Sequence, residues 1–118
     1  MRIAVPLDEN KKDVCVAFAR APFFLMQDTA VDAAEVLENP AAQAQGGAGL
    51  KAAQFLADRQ VDVLITVRCG ENAAEVLKAA EIEIYKSEGS DAADNIERYK
   101  AGRLSKLEHF HAGFHGVQ

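Results

Sequence analysis

All three histidines of the chain stand near its end, in His109-Phe-His111-Ala-Gly-Phe-His115. Neutral imidazoles ligate zinc, copper, nickel or iron, and clustered histidines are a metal-binding composition. In an extended segment His109 and His111 project to one side. His111 and His115 share a face only if the stretch turns helical, which Gly113 opposes. The spacing matches no fixed zinc pattern, so a tail whose histidines merely cluster is the competing description. Cys69 offers a softer ligand. It follows an apolar run and precedes a helical pattern, which is where ligands enter open α/β sheets. A helix N-terminus lowers a thiol's pKa and favours the thiolate, and Arg68 beside it can pair an anion. The alternative is a buried, inert thiol, the role expected of Cys15 among its apolar neighbours. Gly46-Gly-Ala-Gly49, ahead of a helical pattern, can turn backbone N–H groups toward an anion. It lacks the lysine and Ser/Thr of a phosphate-binding loop. Arg20 either anchors a loop or faces the ligand.

The scaffold that would position these groups is written in the hydrophobic periodicity. Residues 2–7 alternate as a strand and end at a polar turn. Val14–Ala19 and Phe23–Asp28 read as extended, and Ala30–Leu37 alternates loosely until Glu38-Asn39-Pro40 stops it. Ala48, Ala52, Phe55 and Leu56 then share a helical face. Val61–Val67 is a β-branched run suited to a strand covered on both faces. A helix over Asn72–Ala80 would turn Ala73, Val76, Leu77 and Ala80 inward, and Ile82, Ile84 and Lys86 share one side of a further strand. Ser90-Asp91 caps a third helix, with Ala92, Ala93, Ile96 and Tyr99 toward the core and Gly102 as its stop. Alternating strands and helices imply right-handed parallel crossovers. The expected architecture is α/β: an antiparallel front half, then a βαβα half, with helices on the faces of one mixed sheet.

Composition bounds the function. A chain of 118 residues has room for one core, and 49% hydrophobic against 26% charged residues is ordinary for a globular domain. Such a chain buries enough surface to fold without disulfides. The balance of 18 acidic and 13 basic residues, net −5, argues against general affinity for nucleic acid. Cys15 and Cys69 make neither a disulfide framework nor a CxxC pair and are expected to stay reduced. No apolar run approaches the ~20 residues of a membrane helix. The opening Met-Arg-Ile-Ala-Val-Pro-Leu-Asp turns acidic too soon for a signal peptide. The expected location is the cytoplasm, with no membrane partner.

Seven runs carry a resemblance. Met1-Arg-Ile-Ala-Val-Pro-Leu-Asp8, Phe18-Ala-Arg-Ala-Pro-Phe-Phe24, Asn39-Pro40, Gly47-Ala-Gly49, Val61-Asp-Val-Leu-Ile65 with Gly70-Glu-Asn-Ala73, and Ala80-Glu-Ile-Glu-Ile-Tyr85 occur in order. Across residues 1–104 the chain resembles the nitrogenase iron–molybdenum cofactor biosynthesis (nitrogenase accessory factor-like) family. The resemblance implies a three-layer α/β/α ribonuclease-H-like fold: a mixed five-stranded sheet, order 3-2-1-4-5, with strand 2 antiparallel. It implies a binding or carrier role for an iron–molybdenum cofactor, its precursor or another iron/molybdenum–sulfur cluster, without turnover chemistry, and a cofactor donor or acceptor protein as partner. The accessory-factor-like domain would cover 1–107, with a histidine-containing tail over 108–118. Taken with the groups above, the expected binding residues are Arg20, Gly47, Gly49, Arg68, Cys69 and Asn72. Cys69, His109, His111 and His115 are the expected metal contacts. Two departures fall in these runs. Members often carry His-Phe-Gly-Arg-Ala where this chain has Ala17-Phe-Ala-Arg-Ala21, and Gly-Pro-Asn where it has Gly70-Glu-Asn72 preceded by Cys69. Two other functions compete. One is a metal-dependent nuclease or phosphatase using Asp8 and Asp28, which lacks a third carboxylate. The other is a regulatory domain that binds only protein.

Overall fold

The structure, a computed structural model, describes residues 1–111. Its elements are β1 (Arg2–Leu7), β2 (Phe23–Asp28), β3 (Ala33–Glu38), α1 (Ala48–Asp58), β4 (Val63–Thr66), α2 (Glu71–Ala79), β5 (Glu83–Lys86) and α3 (Ala92–Lys100). The five strands form one sheet in the order β3-β2-β1-β4-β5. β2 runs antiparallel to β1 and β3, while β4 is parallel to β1 and β5. This is the strand order and the single reversed strand that the resemblance implied.

Strand alternation divides the core into two layers. Ala4, Phe24, Met26, Leu64 and Ile84 pack against Ala52, Ala53 and Leu56 of α1 and Ala73, Ala74 and Leu77 of α2. Ile3, Val5, Leu7, Val63 and Ile65 face the other way, onto Ala92 and Ile96 of α3. Central strands covered on both faces must be apolar throughout, and all four residues of β4 are buried. Among the described residues no helix is long and apolar enough to cross a membrane.

Four local readings change. Val14–Ala19 is a loop, in which only Val14 bridges back to Leu7. Its apolar residues serve different ends: Phe18 plugs the α1/α2 layer, while Val16 is 57% exposed. β3 is an edge strand with every residue but Leu37 exposed, which is why its alternation is weak. In α2 Ala73, Ala74 and Leu77 are buried and Val76 packs half-buried against the same layer, as expected, whereas Ala80 is an exposed C-cap. In α3 Ala93 is exposed and Asn95 takes the buried position. Asn95 earns it through hydrogen bonds: it accepts from the Glu88 N–H at 2.7 Å and donates to the Asp91 carbonyl at 2.9 Å. Asp91 caps α3 and Gly102, at φ 74°, ends the turn beyond it, both as the sequence indicates.

After α3 the chain returns along the outer edge of β5. Lys86 N–H donates to the Ser105 carbonyl at 2.8 Å and Leu107 N–H to the Ile84 carbonyl at 2.9 Å. Phe110 then packs against the α1/α2 layer with the Lys78 ammonium 4.4 Å from its ring centre. His111 arrives beside Gly70.

Candidate functional site: the crevice at the carboxyl ends of β1 and β4

From β1 the chain steps outward to β2 and β3, then crosses by α1 to β4 on the other side. The boundary between β1 and β4 is therefore a topological switch point, the place where open α/β sheets leave a crevice. Two adjoining hollows occupy it. One, of about 290 Å³, is lined by Val16, Phe18, Arg20, Arg68, Cys69 and His111, among others. The second, of about 550 Å³, has Arg20, Gly46, Gly47, Gly49, Asn72 and His111 in its wall. Ala19, Arg20, Gly70 and His111 belong to both. The sequence-predicted binding residues Arg20, Gly47, Gly49, Arg68, Cys69 and Asn72 are thus brought to one place.

Two helices begin in the wall of this crevice. Gly47, at φ 65°, is the N-cap of α1, and Gly70 is the N-cap of α2. Neither receives a side-chain cap, whereas α3 is capped by Asp91. First-turn N–H groups without a side-chain partner and the positive end of the helix dipole favour an anion. The helices lie close at position 49, where a Cβ would sit in ordinary contact, 3.5 Å from that of Ala73. Arg20 and Arg68 add exposed positive charge.

The family described as "Dinitrogenase iron-molybdenum cofactor" matches residues 1–102. The chain belongs to this family. The structure is similar to the apo form of the orange protein from Desulfovibrio gigas, with a TM-score of 0.82 and 33% identity over 90% of this chain and 92% of that one. It is also similar to a Thermotoga protein proposed to be a NifB protein, with a TM-score of 0.78 and 38% identity over 92% and 95% of the two chains. An uncharacterized protein of Methanocaldococcus jannaschii is 28% identical over 111 residues, 92% of each chain.

Within this member of the dinitrogenase iron–molybdenum cofactor family, Cys69 behaves differently from the sequence expectation. The residue is 1% exposed and its Sγ lies 3.6 Å from the Gly70 carbonyl. Burial pushes the thiol up to about 11, and the Lys78 charge offsets only part of that. Desolvation outweighs the helix N-terminus, so Cys69 is a protonated thiol at neutral pH. The histidines also part company. His109 lines a separate cleft with Glu71, Glu75, Lys78 and Glu108, while His111 lines the crevice. His115 lies outside the described residues. Among the described residues no group of three or more His, Cys, Asp or Glu has the placement to hold a metal ion.

Two residues that organise the site were not singled out as such by the sequence. Asn39, read there as a strand stop, is buried and donates to the carbonyls of Ala19 at 3.0 Å and Ala21 at 2.8 Å. Its own oxygen accepts from the Ala41 N–H at 3.0 Å. It pins the segment that carries Arg20; the signal was a polar residue standing next to Pro40 between two apolar runs. Gly70 is the second. A Cβ there would come within 3.2 Å of the His111 ring, so glycine lets the imidazole pack on the backbone. The carboxylates of the hydrolase alternative do not meet. Asp8 follows β1, but the antiparallel course of β2 places Asp28 opposite Arg2, with Arg2 Nε 3.7 Å from its carboxylate. The strand between these ends spans roughly 20 Å.

Proposed function

We propose that the protein binds and carries an iron–molybdenum cofactor, a precursor of it or a related metal–sulfur cluster in the β1/β4 crevice. The observation that carries this reading is the convergence of two helix N-termini that lack side-chain caps, α1 at Gly47 and α2 at Gly70, with Arg20 and Arg68 around one crevice. Sulfido and oxo groups of an anionic cluster accept hydrogen bonds from backbone N–H groups and from guanidinium. Val16 and Phe18 supply an apolar wall for the soft, weakly hydrated sulfurs. Asn72, in the first turn of α2, adds a side-chain amide. Cys69 joins as a ligand only by giving up its proton, a cost that metal binding can meet. The chain's contribution is to bind, orient and shield; the partner is a donor or acceptor of the same cargo, in the cytoplasm. A ribonuclease-H-like fold, as the resemblance implies it, would carry no hydrolytic role in this reading, since Asp8 and Asp28 stand at opposite ends of β1 and its partner β2.

Anaerobic reconstitution with iron, sulfide and either molybdate or thiomolybdate, followed by absorption spectroscopy and metal analysis, tests the proposal. A coloured complex of fixed stoichiometry is expected, weakened by Arg20→Ala and Arg68→Ala. A colourless protein with no retained metal would overturn it.

A further inference from the structure

We infer that the segment from Glu108 to His111 is a built-in competitor for the crevice: it docks where the cargo docks, and loading displaces it. The inference rests on the cluster-binding reading and adds its regulation. Three observations carry it. First, the carbonyl of His111 accepts the N–H of Glu71, the first residue of α2, at 2.9 Å. That N–H is one of the donors an anion at the helix start would use, and the chain's own backbone already holds it. Second, the His111 imidazole belongs to the walls of both hollows and packs against Gly70. It lines both the hollow of about 290 Å³ and the one of about 550 Å³, so its departure would enlarge the space in front of the α2 start. Third, the segment is attached unevenly. Through Leu107 it is bound to the β5 edge by two backbone hydrogen bonds and by Lys106 Nζ on Glu83 at 3.2 Å. Beyond Leu107 the described residues make no such edge pairing: the Phe110 ring packs against the α1/α2 layer beneath Lys78, and His111 bridges to Gly70. Because the named edge contacts end at Leu107, release of the residues beyond it would leave the edge strap in place.

Competition and assistance predict opposite signs. Were His111 an added ligand, removing the segment would weaken cargo binding. If it competes, removal strengthens binding, because the cargo no longer has to displace a hydrogen bond and a packed ring. The test titrates tetrathiomolybdate, as the probe, into the full-length chain, a chain ending at Leu107, and full-length Phe110→Ala. The chain ending at Leu107 keeps every edge contact named above. Both altered chains are expected to bind roughly tenfold tighter, the scale of one competing hydrogen bond. Before any probe is added, Phe110→Ala is also expected to speed hydrogen exchange at the Glu71 amide. Equal or weaker binding by both altered chains overturns the competition while leaving the cluster-binding reading intact. Absence of binding by all three overturns that reading and this inference with it. Tighter binding without faster Glu71 exchange in Phe110→Ala overturns the stated route, because the ring would then not be what holds the segment down.

Discussion

Arg20 reaches the carbonyl of Ala44 at 2.7 Å, tying the loop after β1 to the turn that leads into α1. A second, longer contact runs to Ala42 at 3.3 Å. The guanidinium therefore does two things: it fixes the relative position of two crevice walls and it presents positive charge between them.

The first prediction separates these roles. Arg20→Lys keeps the charge but loses the planar guanidinium whose Nη1 donates to both carbonyls. It is expected to cost no more than about 1 kcal/mol of stability, yet to raise hydrogen exchange across residues 42–46. Arg20→Ala is expected to match it in exchange and to bind an anionic cargo more weakly. Exchange profiles unchanged in both variants would mean that the carbonyl contacts do not order the turn.

Asn39 gives a sharper stability prediction. Its side chain is buried with three hydrogen bonds, two donated and one accepted. Asn39→Ala leaves the Ala19 and Ala21 carbonyls short of partners and is expected to destabilise by about 2–4 kcal/mol. Asn39→Asp keeps the acceptor but turns a buried negative charge toward two carbonyls, so it should be no better than alanine. Urea unfolding of the two variants checks this, and a loss below about 1 kcal/mol in both would contradict it.

How much of this was legible beforehand depends on the kind of interaction. Runs such as 63–66 and the 48–52–56 helical face declare themselves because burial on a sheet or helix repeats at a fixed period. The crevice residues could be named in advance because glycines, arginines and a strand-end cysteine fall at element boundaries, where the topology gathers them. Positions governed by non-periodic contacts could not. Phe18 looks like part of a strand until the loop drops its ring 5.8 Å from that of Phe24. Asn95 looks like helix surface until the 88–91 turn folds back on it. The state of Cys69 depends on how deeply it is buried against how near it lies to a helix end, and no spacing reports that balance.

Cys69 also yields a pH prediction. Its pKa in the folded protein is about 11 against an ordinary value of 9.0. A group with a raised folded pKa holds its proton better folded than unfolded. Its stabilising effect is full below pH 9 and is lost as pH climbs toward 11. Conformational stability should therefore be flat up to about pH 9 and fall by at most about 2–3 kcal/mol between pH 9 and 11 on account of this thiol. Cys15 contributes in the same direction, since burial and the Asp8 carboxylate raise it too. Cys69→Ala should remove most of the slope in that window, measured as urea midpoint against pH. Alkylation of Cys69 by iodoacetamide should be negligible at pH 7 and accelerate about tenfold per pH unit up to its pKa. Fast modification at pH 7 would show a thiolate and contradict the burial argument.

Phe18 and Val16 line the same hollow yet stand on opposite sides of the fold's boundary, and that permits the last prediction. Phe18 is 3% exposed and its ring packs with Phe24, which in turn stacks on Phe55 at 6.1 Å. Removing it empties part of the α1/α2 layer and frees the loop that carries Arg20. Phe18→Ala is expected to cost about 3–4 kcal/mol, with any loss of cargo binding inseparable from loss of fold. Val16 is 57% exposed, so Val16→Ser should change stability by less than about 0.5 kcal/mol. It should nonetheless weaken retention of a sulfur-rich cargo, because a hydroxyl replaces part of the apolar wall. The comparison needs both thermal unfolding and cargo titration on each variant. If Val16→Ser leaves cargo retention untouched while Phe18→Ala abolishes it only in step with unfolding, the apolar wall serves the core alone. The cargo would then be held by the helix starts and the arginines.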